Sequence, residues 1–245
     1  MSSEPPRLKR RALLASSAAA AVSAGVAVFS SNDVGRLETS LVDAALGSIV
    51  VFLPDLHLHS IGAFEEGLID SVNRLQPDVV VLGGDMVDGL TADAEVLRMF
   101  VSQVDAREKL FVLGNHDYWS GHSESVVRIL KEEGWVELSG LYSSRYMGRV
   151  YGLDWVNDRR YPRIRAEGVV VVHDPNAADY VEGPCYIFSG HTHGGLVLGG
   201  HVVYSNSKYV RGFYSLGDKK LYVSRGLGQM IPLRIFSPPE LLVIR

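Results

Sequence analysis

From Gly47 onward the chain is built of short, unbroken apolar runs: SIVVFLP (48–54), DVVVLGG (78–84), KLFVLG (109–114), RVYGL (149–153), GVVVVH (168–173) and CYIFSG (185–190). Runs of Val, Ile, Leu and Phe without polar alternation predict strands covered on both faces. Amphipathic segments at 63–75 and 92–104 separate the first three runs. A third, SESVVRILKEEG (123–134), follows with Ser123 as its expected N-cap and Gly134 as its stop. Strand–helix–strand alternation predicts parallel pairing through right-handed crossovers. Beyond Gly195 the texture changes. HVVYS, KYVRGFYS, KKLYVSR and ELLVIR are short strand candidates broken by glycine and proline, the pattern of an antiparallel sheet. The expected body, residues 33–245, is an α/β domain with two sheet layers.

Residues 1–32 do not share this pattern. PPRLKRR (5–11) carries four positive charges, and an uncharged, alanine-rich run of 18 residues follows from Ala12 to Phe29. A basic flank before an apolar run is the layout of an export signal or membrane anchor. The run is borderline in length for spanning a bilayer. Arg10-Arg11 followed by ALL resembles a twin-arginine signal, although Lys9 stands where serine or threonine is usual. Val22-Ser23-Ala24 offers a small-residue cleavage site. The expectation is a domain beyond the cytoplasmic membrane, delivered by the twin-arginine translocase and either released or held at the membrane by the N-terminal segment.

Composition narrows the partners. The 245 residues suit one large domain, and a net charge of -4 gives no overall basic field, so nucleic acid is not favoured. The single cysteine, Cys185, excludes an intramolecular disulfide and a cysteine-rich zinc site, and its apolar run predicts a buried thiol.

What ends the strands carries the chemistry. The first run ends on Asp55 and His57, the second on Asp85, the third on Asn115, His116 and Asp117, the fifth on His173 and the sixth on His191 and His193. Ligands of open α/β sheets bind at the carboxyl ends of the strands. Five of the eight histidines take part. Singly, each motif has an ordinary reading: Gly-Asp as a turn, Asn-His-Asp as an Asx-turn, a strand-end histidine as a satisfied polar group. Together they describe a site. Two divalent ions about 3.5–4 Å apart can clamp the attacking and leaving oxygens of a phosphoryl displacement. A carboxylate bridging them suits Asp85. Asp55, His57 and one distal histidine complete one ion, and Asn115, His173 and another complete the second. Imidazole, carboxylate and amide ligands suit manganese, zinc, iron or cobalt.

The motifs DLH, GGDMVD, GNHD, VVH and GHTHGG, in this order from Asp55 to Gly195, resemble those of the calcineurin-like metallophosphoesterase superfamily. The extended GHTHGG and the C-terminal tail resemble a bacterial branch of exported or membrane-associated phosphodiesterases, near lipid-linked pyrophosphatases. The resemblance implies a four-layer α/β/β/α sandwich of two mixed sheets. It implies Asp55, His57, Asp85 and His193 on the first metal and Asp85, Asn115, His173 and His191 on the second, with His116 beside the substrate phosphate as a catalytic residue. The implied reaction is hydrolysis of a phosphodiester or pyrophosphate bond, in a substrate that is lipid-linked or a nucleotide-sugar, by a water held between the metals. The alternatives are a metal-dependent nuclease and a catalytically silent metal-binding module of the same fold. Pro54 stands where this branch usually has serine, and Asp174-Pro175 follows His173 where asparagine or glutamate is more usual. Outside the motifs, His59 reads as a surface residue or, sharing a side with Asp55 and His57 in an extended chain, as one lining the pocket, and His122 and His201 read as residues without a role. Asp88 and Asp117 read as turn residues or supports of the ligands, and Tyr118 and Trp119 as walls of the site or packing residues.

Overall fold

The computed structural model describes residues 35–198, 201–230, 234 and 237–245. The predicted export segment lies outside the described residues.

The apolar runs form two six-stranded sheets. In the first, β1 (Glu38–Val42), β2 (Val50–Leu53), β3 (Val79–Gly83), β4 (Glu108–Val112), β5 (Val136–Glu137) and β16 (Glu240–Ile244) lie in the order β1-β16-β2-β3-β4-β5. Strands β2 to β5 are parallel; β16 runs antiparallel to β2 and parallel to β1. The second sheet contains β6 (Gly140–Ser144), β7 (Gly148–Leu153), β9 (Gly168–Val172), β11 (Cys185–Ser189), β14 (Gly212–Leu216) and β15 (Lys219–Val223) in the order β14-β15-β11-β9-β7-β6. Its four central strands are parallel and both edges antiparallel. Two short pairs complete the strands: β8 (Ile164–Arg165) with β10 (Val181–Glu182), and β12 (Leu196–Leu198) with β13 (His201–Tyr204).

The sheets pack face to face. Val50, Phe52, Val79, Val81, Leu110 and Val112 of the first meet Val150, Val169, Val171 and Phe188 of the second in one apolar layer. The other face of the first sheet is covered by helices α1 (Ala63–Arg74), α2 (Glu95–Val101) and α4 (Ser123–Glu132), through Leu68, Val72, Leu97, Phe100, Ile129 and Leu130. The outer face of the second sheet is capped more thinly. The 3-10 helix Pro175–Tyr180 and the side chains of Tyr161 and Tyr209 pack on Val170, Val172, Ile187 and Leu221. The architecture is the expected sandwich, with its fourth layer reduced among the described residues to this turn.

Four local expectations need correction. The last run, ELLVIR, does not extend an antiparallel sheet with its sequence neighbours. It crosses to the first sheet and inserts between β1 and β2, where Leu242 pairs with Phe52. Its five residues are all buried, which a central strand requires. KKLYV likewise pairs parallel to β11 as well as antiparallel to β14. The helix at 92–104 shortens to Glu95–Val101, because Asp93 accepts from the Glu95 N–H at 2.9 Å and ends the turn before it. Ser123 is the first helical residue of α4 and His122 the cap position, while Gly134, at φ +80°, stops the chain as expected. Cys185 is buried.

Candidate metal centre

Strands β2, β3 and β4 of one sheet and β9 and β11 of the other end on the same rim of the sandwich. The polar residues after them therefore converge. Asp55, His57 and His193 form one group and Asp85, His173 and His191 another; within each group the ligand atoms lie within 4.8 Å of one another. The groups touch: His173 Nε2 is 3.0 Å from Asp85 Oδ2 and 3.9 Å from Asp55 Oδ1, and His57 Nε2 is 3.8 Å from Asp85 Oδ2.

The backbone is bent to make this possible. Eight non-glycine residues among those described have positive φ, and five are Asp55 (56°), His57 (45°), Asp85 (55°), His191 (74°) and His193 (50°). Left-handed backbone costs about 1–3 kcal/mol per residue and gathers where function over-determines the chain. Asp and His tolerate it better than most residues. The turns are pinned by hydrogen bonds between the strand ends: Asp55 N–H to Gly84 O at 2.9 Å and His57 N–H to Asp85 O at 3.0 Å. Asp117 supports them from beneath. Its buried carboxylate accepts from the N–H groups of Asp85 (2.8 Å), Met86 (2.9 Å), Val87 (3.1 Å) and Gly114 (2.9 Å). Close approach also requires glycine: a Cβ on Gly114 would stand 2.2 Å from Asp85 Oδ1.

Three of the four imidazoles are oriented by a partner on the far side. Asp88, fully buried, accepts from His57 Nδ1 at 2.9 Å and from His59 Nε2 at 2.9 Å. Gly83 O accepts from His173 Nδ1 at 2.9 Å. His191 Nε2 meets Asn206 Nδ2 at 3.0 Å. The acceptors on His57 and His173 fix the Nδ1–H tautomer and turn Nε2 inward, whereas the Asn206 amide donates to His191 Nε2 and leaves Nδ1 facing His173 Nε2 at 3.2 Å. The resulting electrostatics are those of a cation-binding site. Burial alone would lower the pKa of His173, but Asp85 outweighs it and lifts it to about 10. The same contact, against the burial penalty, holds Asp85 well below the usual carboxylate range. Burial and the charge on His173 push His191 down to about 3.

Two buried acceptors test whether a metal fits. Among the described residues His57 Nε2, whose ring proton is committed to Asp88 through Nδ1, has no hydrogen-bond partner, and neither has Asn115 Oδ1. Lone pairs buried without donors, among two carboxylates and four imidazoles, match the donor set of a divalent transition ion. The residues present fit metal ions.

The family profile for calcineurin-like phosphoesterases matches residues 49–195, from β2 to the end of GHTHGG. The chain belongs to the calcineurin-like phosphoesterase family. This phosphoesterase is thus a metal-dependent phosphoric ester hydrolase. An uncharacterized metallophosphoesterase of Campylobacter jejuni is 30% identical over 221 residues, 80% of this chain and 58% of that protein. The uncharacterized metallophosphoesterase YkuE of Bacillus subtilis is 28% identical over 230 residues, 80% of this chain and 78% of that protein. A zebrafish (Danio rerio) protein named a transmembrane protein with metallophosphoesterase domain is 27% identical over 237 residues, 82% of this chain and 53% of its own. The phosphoesterase therefore spans a little over half the length of the first and third relatives. No helix among its described residues is long and apolar enough to cross a membrane.

His116 stands beside the cluster. It lies on α3 (Asn115–Trp119), a short helix at the place where Asn-His-Asp alone reads as an Asx-turn. Its N–H donates to Asp85 Oδ1 at 2.7 Å, and its ring meets His57 edge-on at 5.0 Å. Burial lowers its pKa. Trp119 lies 5.5 Å from the His116 ring and is mostly exposed, a wall residue; Tyr118 packs away and donates to Asp154. His122 meets the Thr91 carbonyl at 3.1 Å and His201 is exposed, both away from the cluster. His59 is half-exposed and joined to the site only through Asp88.

Several neighbours escaped sequence reasoning. Trp155 packs 5.2 Å from His191 and 6.2 Å from His173. Arg159, at φ 55°, donates to Asp174 from Nε (2.7 Å), to Asn206 O (2.8 Å) and to Ser207 Oγ (2.8 Å). This network carries Asn206 to His191 and gives the Asp174-Pro175 departure a role: Asp174 anchors Arg159 and caps the 3-10 helix through the Asn176 N–H. Arg234 approaches His193 from the C-terminal tail. None of these residues carries a motif; they meet the site only through the fold.

Proposed function

We propose that this phosphoesterase hydrolyses a phosphodiester or pyrophosphate bond with two divalent ions, one held by Asp55, His57, Asp85 and His193 and the other by Asp85, Asn115, His173 and His191. The observation that carries the reading is the pair of orphaned acceptors, His57 Nε2 and Asn115 Oδ1, one in each half of a cluster joined by Asp85. Bound metals supply Lewis acidity and a water of lowered pKa.

The chain's own part is positional. Asp88 and Gly83 hold His57 and His173 with Nε2 inward, and the Asn206 amide steadies the His191 ring by donating to its Nε2. Asp117 fixes the loops bearing Asp85 and Asn115. Hydrolysis forms one oxygen–phosphorus bond from water and breaks the bond to the leaving oxygen, which takes a proton. His116, half-exposed at the rim and tied to Asp85 by its backbone, holds that proton at the leaving oxygen. General acid catalysis of this kind is worth about 10²–10⁴-fold.

A cleft reaching His57 is lined by Leu56, Phe64, Leu227 and Met230. It supports a substrate with an apolar arm, a lipid-linked one included. The N-terminal segment supports delivery to the far side of the cytoplasmic membrane. Metal-loaded full-length protein should hydrolyse bis-p-nitrophenyl phosphate faster than the monoester or single-stranded DNA, and lose that activity to a chelator. Equal or greater activity on DNA would favour the nuclease alternative, and no activity at full metal loading the silent module. Exchange of Arg10-Arg11 for two lysines should leave loaded enzyme inside the cell. Unchanged export would make the segment a general signal.

A further inference from the structure

Two clefts open beside the metal centre. One, of about 290 Å³, reaches His57; the other, of about 350 Å³, reaches His191 and His193 and is lined by Tyr204, Ser205 and Asn206. The two residues common to both walls are Gln229 and Arg234. Among the described residues neither of two buried donors, Gln229 Nε2 and Arg234 Nε, meets an acceptor.

Arg234 is only 2% exposed. Among the described residues its guanidinium is held by three carbonyls, with Nη1 donating to Arg225 O (2.8 Å) and Ser237 O (3.1 Å) and Nη2 to Gly228 O (2.6 Å). No carboxylate among the described residues forms an ion pair with it. A buried cation without a paired anion is costly. Burial, opposed by Asp55 and aided by Arg225, pulls its pKa down to about 10, so it stays charged at neutral pH.

Position says which anion. Arg234 Nη2 lies 3.5 Å from His193 Nδ1, too long and weak to count as a firm hydrogen bond, while Nε2 of that ring faces Asp55 at 3.9 Å. The guanidinium therefore stands one imidazole ring behind the metal-binding atoms. An anion at Arg234 is not the phosphoryl group at the metals but one beside it.

We propose that Arg234 and Gln229 form an anion subsite that holds a second phosphoryl group of the substrate, next to the one that reacts, and that the enzyme thereby prefers diphosphates to isolated phosphodiesters. This rests on the two-metal reading above and deepens it. Gln229 and Arg234 act as specificity residues: they touch substrate away from the reacting phosphorus.

The test uses full-length, manganese-loaded protein and three forms: the parent, Gln229→Leu and Arg234→Lys. Calorimetry reads the affinities of methylenediphosphonate and inorganic phosphate, elemental analysis the metal content, and thermal melting the fold. The parent should prefer methylenediphosphonate. Each variant should lose about 10- to 100-fold of that affinity, the range of one hydrogen bond to a charged group, and keep its phosphate affinity and its metals. Gln229→Leu should melt no lower than the parent, because it removes a buried donor that has no acceptor. Turnover of ADP-ribose should fall in parallel, and turnover of the p-nitrophenyl ester of thymidine 5′-monophosphate by less than about threefold. Equal loss of both ligands, loss of metal in Gln229→Leu, or a parent without the preference would overturn the subsite. A parent that binds metals and shows the preference but hydrolyses neither ester would instead sink the hydrolase reading and leave the subsite standing.

Discussion

Replacing Gly114 by alanine perturbs the centre with a single methyl group. The backbone there, φ -109° and ψ 179°, suits any residue, so alanine brings no conformational strain of its own. Its Cβ, however, would lie 2.2 Å from Asp85 Oδ1 and 2.5 Å from the Asp85 backbone nitrogen. Both are about 1 Å or more inside ordinary contact distance. The carboxylate cannot swing aside cheaply: Oδ1 accepts from the His116 N–H at 2.7 Å, and Oδ2 faces His173 at 3.0 Å. The turn bearing Asp85 must move by something near 1 Å. Overpacking of this kind costs about 1–3 kcal/mol of stability, and a misplacement of 1 Å costs about 10²-fold in rate. Gly114→Ala should therefore remain folded, with a melting temperature lowered by several degrees, yet lose about 10²-fold in kcat/KM together with most of its bound metal. Melting, elemental analysis and diester hydrolysis on one preparation decide it. A variant with full metal content and turnover within threefold of the parent would show that Asp85 is not held where the structure places it, and the geometric argument would fall.

Asp88→Asn should weaken metal binding by about 10- to 100-fold, because His57 loses the acceptor that fixes its tautomer; an unchanged metal titration would contradict this. His116→Ala should keep its metal content while kcat falls about 10²–10⁴-fold, less so for acidic leaving groups, and loss of metal would instead make His116 a ligand. Glu240 sets an acid limb of stability. Burial works against its anion, but hydrogen bonds from Ser40, Tyr222 and the Arg225 N–H prevail and hold its pKa below the ordinary value. A depressed carboxyl contributes stability above its unfolded pKa of about 4.3, and that contribution is lost as pH falls through the folded value. Denaturant unfolding of Glu240→Gln should thus match the parent more closely at pH 3 than at pH 7; a constant difference would refute the linkage.

The sequence made the site legible through its strand ends. Asp55, Asp85, Asn115, His173, His191 and His193 each follow an apolar run, and parallel strands bring such ends to one rim. What held them there was less visible. Asp117 reads as a turn residue or a support of the ligands, and it is a support, but its four backbone N–H bonds depend on two loops that meet only in the folded chain. Trp155, Arg159 and Asn206 stand behind His191 through contacts across tens of residues, and no local period marks them. The last strand was misplaced for a related reason. ELLVI has the apolarity of a central strand, but its partners β1 and β2 lie nearly two hundred residues earlier, and local texture pointed to its neighbours instead. That crossing also brings Gly226, Gly228 and Arg234 against the first metal-binding group.

The central claim is that Asp85 joins two metal-binding groups into one centre, and the direct measurement is metal stoichiometry in Asp85→Asn. The substitution keeps the shape of the side chain and removes the charge between His57 at 3.8 Å and His173 at 3.0 Å. Elemental analysis of the parent and of Asp85→Asn, dialysed side by side against the same buffered manganese, should give two ions per chain in the parent and fewer than one in the variant, with hydrolysis lost in step. Two ions per chain and near-parental turnover in Asp85→Asn would contradict the account.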